Sequence, residues 1–229
     1  VQACERLARE NVAAVAIAYL HSYANPSHER RSAEIVRDIL GPEIFITCSS
    51  DILPEIREYE RTSTTVINAY LGPILTAYFG SLRRHLESIG VTARVQIMKS
   101  DGGVMSIAAA TEKPAYIVES GPAAGVIGAA RLASTGNNIT LDMGGTTAKA
   151  SMVEGGRIAR TGDYEVGAGI NLSSKLVMGG GYALKLPVID ISEIGAGGGS
   201  IVSLDRGGLL KVGPESAGAL PGPVCYGRG

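Results

Sequence analysis

The chain has 229 residues, of which 45% are apolar and 19% charged, and its formal net charge is −1. That balance leaves ample apolar surface for one large or two modest cores, and it excludes both a disordered chain and the basic footprint of a nucleic-acid binder. The longest apolar stretch, residues 12–20, is far short of the roughly 20 residues that cross a bilayer, so no membrane partner is expected.

Taken in order, residues 2–10 predict a short charged helix and residues 12–18 a small, apolar strand buried on both faces. Asn25-Pro26 then opens a helix that Ile35, Val36, Ile39 and Leu40 carry to Gly41, and residues 44–48 form a second strand. Strand, helix and strand make a βαβ unit, hence an α/β class. From residue 54 to 90 runs the longest helical pattern. Ile67, Tyr70, Leu71, Ile74, Leu75, Tyr78, Phe79 and Leu82 recur at the spacing of one buried face. Gly72-Pro73 interrupts it, which predicts a kink or two helices in tandem. Its first turns carry Glu58, Glu60, Arg61, Thr64, Thr65 and Asn68, read as either a solvated face or a polar wall facing a cleft.

Residues 93–98 alternate as a strand and lead into Lys99-Ser100-Asp101-Gly102-Gly103, a turn expected to expose Asp101. The next helix begins at Gly121-Pro122. Its face of Gly121, Ala124, Gly125, Gly128 and Ala129 is small enough for close approach by a helix or a ligand. Residues 139–153 form two alternating runs joined by Asp142-Met143-Gly144-Gly145-Thr146-Thr147, a strand, a phosphate-sized turn and a returning strand. Glycine lets backbone N–H groups approach an anion, Thr146 and Thr147 add hydroxyls, and Asp142 is placed to hold a divalent metal directly or through water.

Most of the 31 glycines fall after residue 154, so the last third is expected to be turn-dense with short strands. Gly155-Gly156 makes a further hairpin. Gly179-Gly180-Gly181 and Gly195-Ala196-Gly197-Gly198-Gly199-Ser200 flank residues 186–191. The second cluster is followed by the strand-like Ile201-Val202-Ser203-Leu204, so no helix begins there, a dinucleotide-binding reading fails, and a looped sheet rim is expected.

Cys4, Cys48 and Cys225 have no short spacing between them, which excludes a CxxC motif and a disulfide framework and fits a reducing, cytoplasmic setting; each is read as a small or neutral residue. There is no P-loop, HExxH helix, GxSxG elbow or zinc-ligand cluster, and His21, His28 and His85 are scattered. Without an initiating Met and ending inside a glycine-rich pattern, the chain is read as a piece of a longer protein.

Several separated motifs, in order, carry a resemblance. Ser120-Gly121-Pro122-Ala123-Ala124-Gly125, Leu141-Asp142-Met143-Gly144-Gly145-Thr146-Thr147, the 194–200 glycine run and Pro221-Gly222-Pro223-Val224-Cys225-Tyr226-Gly227 look like the hydantoinase A and 5-oxoprolinase family. Ser22-Tyr23-Ala24-Asn25-Pro26 and Asn68-Ala69-Tyr70-Leu71-Gly72-Pro73 extend the likeness over essentially the whole chain.

The resemblance implies a ribonuclease-H-like lobe of the actin, sugar kinase and heat-shock chaperone ATPase superfamily, truncated at both ends. Residues 1–52 would be the tail of an N-terminal lobe and residues 53–229 the first part of the hydantoinase A domain. It also implies ATP-dependent opening of a cyclic amide, in which phosphorylation of the amide oxygen precedes attack by water. Gly144, Gly145, Thr146 and Thr147 would hold phosphate oxygens, with Gly121 and Gly125 beside them, and Asp142 would position Mg²⁺ and act in catalysis. A hydantoinase B-type subunit or domain is the implied partner. Two alternatives stay open: a subunit of an ATP-dependent ketone carboxylase, and a noncatalytic scaffold lobe.

Two departures from the family pattern stand out. Ala148-Lys149 follow the turn where Thr-Asp is usual, so a second acidic metal contact is missing; Lys149 is read as a phosphate partner or a solvated strand residue. A further phosphate hairpin and an adenosine-contacting segment are not found, so weak or absent ATP binding is expected for this piece alone.

Overall fold

The structure, a computed structural model, describes residues 2–133, 135–166, 181–218 and 220–228. Its chain divides into two compact units, Val1–Val118 with Ala183–Leu186, and Glu119–Tyr182 with Pro187–Gly229.

In the first unit, α1 (Gln2–Arg9) precedes β1 (Ala14–Ile17), α2 (Ser27–Leu40) and β2 (Phe45–Cys48). β1 and β2 pair in parallel, Ala14 opposite Phe45 and Ile17 opposite Cys48, with α2 as the crossover that parallel pairing requires. The βαβ expectation therefore holds. Cys4, Ile17, Val36 and Cys48 are buried at its centre, packed by Val15, Ile35 and Ile46. After the single turn α3 (Ser49–Ile52) comes α4, one unbroken helix from Glu58 to Ser88 with Pro73 inside it, so the tandem-helix alternative is excluded. β3 (Gln96–Met98) and β4 (Val104–Ser106) form a hairpin, and α5 (Ile107–Glu112) follows. Its turn corrects the expectation of an exposed Asp101. That carboxylate is half-buried, accepting from the Gly103 N–H at 2.8 Å and pairing with Lys99 at 2.7 Å.

Only part of the expected face of α4 enters the core. Phe79 is buried and Ile67, Leu71, Leu75 and Leu82 are half-buried, but Tyr70, Ile74 and Tyr78 are exposed, whereas Arg61, Thr64, Thr65 and Asn68 are at most 1% exposed. These four side chains all have partners, Thr65 through its hydroxyl to the Arg61 carbonyl. Asn68 donates to Thr47 and to the Glu112 carbonyl and accepts from the Ala115 N–H; Thr64 accepts from the Lys185 N–H; Arg61 donates to Ser49 and to the carbonyls of Tyr19 and Glu55. Those bonds remove the desolvation penalty that would keep a polar face in water, so this face is neither solvated nor a cleft wall.

The second unit opens with α6 (Ser120–Leu132). β5 (Asn138–Met143) and β6 (Ala148–Glu154) form the expected antiparallel hairpin, from Asn138 opposite Val153 to Met143 opposite Ala148. β7 (Arg157–Ile158) folds back on β6 through the Gly155-Gly156 turn. β8 (Arg160–Thr161), β9 (Tyr164–Val166), β10 (Tyr182–Leu184, of which Ala183 and Leu184 belong to the first unit), β11 (Val188–Ile189), β12 (Ser192–Ile194), β13 (Ser200–Leu204) and β14 (Leu210–Ser216) are short, as the glycine content predicts. Arg160 and Thr161 do not continue the hairpin of β6 and β7 but pair with β11. β12 adds to the free edge of β6, giving the order β12-β6-β5, and β13 and β14 make a separate hairpin. Ala123 and Val126 of α6 pack on Ile189 and Ile191. Gly179 and Gly180 lie outside the described residues.

Candidate functional site

The hairpin of β5 and β6 delivers Asp142 and residues 143–147 as one local unit. The Gly144 N–H donates to the Thr147 carbonyl at 2.9 Å and closes the turn. Beneath it lies the glycine loop at 195–200. The Gly144 carbonyl accepts from the Gly198 N–H at 2.9 Å and the Gly145 carbonyl from the Gly199 N–H at 2.7 Å.

A trans peptide sets its carbonyl antiparallel to the following N–H. With both carbonyls aimed at the loop, the N–H groups of Gly145 and Thr146 point away from it. Among the described residues those two N–H groups and the hydroxyls of Thr146 and Thr147 make no hydrogen bond. Consecutive unpaired N–H groups on one side of a turn form the concavity that binds anions.

Asp142 is exposed, and among the described residues its carboxylate has no hydrogen-bond or ion-pair partner. Gly125 of α6 faces it: a Cβ there would lie 3.8 Å from Asp142 Oδ2. A cavity of about 190 Å³, lined by Pro122, Gly125, Ala129, Thr140, Asp142 and Lys149, lies between α6 and the sheet. Gly121 stands in the first turn of α6, where an added Cβ would meet open space. The structure thus brings Asp142, Gly144, Gly145, Thr146, Thr147 and Gly125 together and leaves Gly121 at the helix end.

Lys149 lies opposite Asp142 on β5 and opposite Glu193 on β12. Its ammonium is 2.5 Å from Glu119, which immediately precedes α6, and 3.5 Å from Glu193. Burial disfavours the charged ammonium, but the hydrogen bond and charge of Glu119 and the charge of Glu193 outweigh it, and the pKa lies above its ordinary value. The reading of Lys149 as a solvated strand residue is therefore corrected: its ammonium is held between two carboxylates.

Glu119 itself sits in the left-handed region at φ 62°, a conformation that costs a non-glycine residue about 1 kcal/mol or more. Its contacts to Lys149 and to the Ala123 N–H hold it there. Glu119 and Glu193 carry no sequence signal as site residues, and the 195–200 loop is signalled only by its run of glycines, which does not reveal that it packs under the turn.

Magnesium binds one or two carboxylates and completes its shell with water and phosphate oxygens, a demand that the unpartnered Asp142 fits. No group of three or more His, Cys, Asp or Glu among the described residues is arranged to hold a metal by protein ligands alone.

Fold and site define an α/β protein whose hairpin turn presents two adjacent unpaired backbone N–H groups. Residues 61–229 match the hydantoinase/oxoprolinase family, and residues 1–40 match the hydantoinase/oxoprolinase N-terminal region. The chain belongs to that family.

It is 46% identical to an uncharacterized protein of Methanocaldococcus jannaschii over 98% of this chain and 33% of that protein. It is 39% identical to caprolactamase subunit alpha of Pseudomonas jessenii over 96% of this chain and 30% of that protein. For the 5-oxoprolinase of Saccharomyces cerevisiae the values are 36%, 95% and 16%. The chain therefore spans a third or less of these relatives.

Among solved structures, nucleotide-free acetone carboxylase superposes with a TM-score of 0.75 at 28% identity, covering 95% of this chain and 29% of that one. The ATP-dependent caprolactamase of P. jessenii gives 0.72 at 38% identity, covering 99% and 31%.

Proposed function

We propose that this chain supplies the phosphate-facing hairpin of an ATP-dependent enzyme that opens a cyclic amide of the hydantoin or 5-oxoproline kind. The observation that carries the proposal is the pair of outward N–H groups at Gly145 and Thr146, beside two free threonine hydroxyls and the unpartnered carboxylate of Asp142. When bound, Mg-ATP would supply the phosphoryl group that turns an amide oxygen into a leaving group. The residues of this chain hold rather than react. Gly145 and Thr146 donate backbone hydrogen bonds to phosphate oxygens, Thr146 and Thr147 add hydroxyl donors, and Asp142 holds the metal and places it where charge develops. Gly125 and Gly121 keep the near end of α6 clear of side chains that would fill the space.

On this reading residues 1–52 are the tail of an N-terminal lobe and residues 53–229 the start of a hydantoinase A domain of ribonuclease-H-like fold. The intact protein then works with a hydantoinase B-type subunit or domain in the cytoplasm. A ketone carboxylase subunit is the second reading, supported by the acetone carboxylase likeness; the higher identity to caprolactamase favours the amide.

The test is Asp142→Ala in the intact protein, assayed for ATP hydrolysis dependent on 5-oxoproline, hydantoin or caprolactam. Turnover should fall about a hundredfold or more with the melting temperature retained. Unchanged turnover in a folded variant would refute the metal role.

A further inference from the structure

We propose that the glycine loop at 195–200 is a positioning element of the nucleotide site, fixing the direction in which the turn presents its N–H groups. The proposal rests on the anion reading of that turn. The Gly198 and Gly199 N–H groups occupy the carbonyls of Gly144 and Gly145, so neither peptide can flip without losing a hydrogen bond. A flip would bury the N–H that the site needs and expose a carbonyl, which repels phosphate.

Gly197 comes too close for any side chain. A Cβ there would lie 2.7 Å from the Gly144 carbonyl oxygen and 2.7 Å from the Thr147 nitrogen, both backbone atoms of the turn that cannot rotate aside. At Gly199 a Cβ would meet the Gly145 oxygen at 2.8 Å and the Gly218 oxygen at 3.0 Å.

The loop is braced by its own Ser200 and anchored from outside by Ala217. The Ser200 hydroxyl accepts from the Gly197 N–H at 2.8 Å, the Ser200 N–H donates to the Gly197 carbonyl at 3.0 Å, and the Gly199 carbonyl accepts from the Ala217 N–H at 2.8 Å. The loop therefore does for the turn what outer hydrogen bonds do for metal ligands: it orients donors without touching the ligand.

The experiment measures Mg-ATP affinity by calorimetry, with thermal melting, on the intact protein carrying Gly197→Ala, Ser200→Ala, Ser200→Thr or, as a control in open space, Gly162→Ala. Gly197→Ala should weaken Mg-ATP about tenfold or more, because overpacking against backbone must move the turn. Ser200→Ala should weaken it about threefold, and Ser200→Thr, which keeps the hydroxyl, should restore it. Gly162→Ala should match the wild type.

Wild-type affinity in a folded Gly197→Ala protein overturns the proposal. If that variant does not fold, the Ser200 pair decides: equal affinities for Ala and Thr overturn it, and rescue by Thr supports it. If the wild type itself binds no Mg-ATP, the nucleotide reading fails, and amide hydrogen exchange then decides on the loop alone. Loss of protection at Gly198 and Gly199 in Gly197→Ala supports the clamp, and retained protection overturns it.

Discussion

Glu29 keeps its charge where solvent does not reach: it is fully buried, yet both carboxylate oxygens are occupied. Oε1 accepts from the Ser49 hydroxyl at 2.6 Å and the Tyr19 N–H at 3.0 Å, and Oε2 from the Ser50 N–H at 2.9 Å. Since the single Ser49 proton goes to Glu29, Ser49 must accept from both Ser22 and Arg61, which makes it the relay between the buried carboxylate and the buried guanidinium. Burial by itself would raise the pKa of Glu29, but these hydrogen bonds reverse the effect and hold it below the ordinary 4.5. A folded pKa below the unfolded value means that the unfolded chain binds the proton first as pH falls. The stabilisation is complete above the unfolded value and is lost as pH drops through the folded one. Glu29→Gln should therefore cost about 1–3 kcal/mol near neutrality. Its melting temperature should also fall less steeply than that of the wild type from about pH 5 to about pH 2. Parallel acid limbs in a pH series of melting curves would refute the assignment.

Within α4, two glycines of similar sequence setting have opposite roles. A Cβ on Gly72 would lie 2.4 Å from ring carbons of Phe45, so β2 reaches the helix only because that side chain is missing. At Gly80 the nearest atom to a Cβ is the flexible Arg84 guanidinium at 3.5 Å, an ordinary contact. Alanine gains about 1 kcal/mol over glycine in a helix interior. Gly80→Ala should realise much of that gain in a denaturation experiment, while Gly72→Ala should lose about 1–3 kcal/mol through overpacking. Equal shifts for the two would show that Phe45 is free to move.

At this scale the sequence was informative where cues are local. The β1-α2-β2 unit follows from apolar runs bracketed by Asn25-Pro26 and Gly41, and the β5 and β6 hairpin from two alternating runs around one turn. The polar part of the buried face of α4 was not legible, because the partners that make Thr64 and Asn68 acceptable in a core come from Lys185, Thr47 and Glu112, far along the chain. Nor was the packing of the 195–200 loop under the turn, which is backbone on backbone and leaves no side-chain pattern. The charge partners of Lys149 are equally remote in sequence, arriving from the start of α6 and from β12.

Across the whole molecule, chain order and packing order differ. The first unit is completed by Ala183–Leu186, which arrive after much of the second unit has been laid down in sequence. Leu184 and Leu186 are 0% and 2% exposed, and between them the Lys185 N–H donates to Thr64 on α4 at 2.9 Å. Each fully buried side chain of this size contributes about 1.5–3 kcal/mol relative to an exposed one, so the four-residue segment matters out of proportion to its length. Residues 1–118 expressed alone should therefore melt below the same unit in the whole chain. Thr64→Val keeps the shape of the side chain but leaves the Lys185 N–H without its acceptor, and should cost about 1–3 kcal/mol. Hydrogen exchange separates the effects: Thr64→Val should speed exchange at Lys185 and along α4 while leaving β5 and β6 protected as before. If residues 1–118 melt as they do in the whole chain, the returning segment is a passenger and the first unit is complete without it.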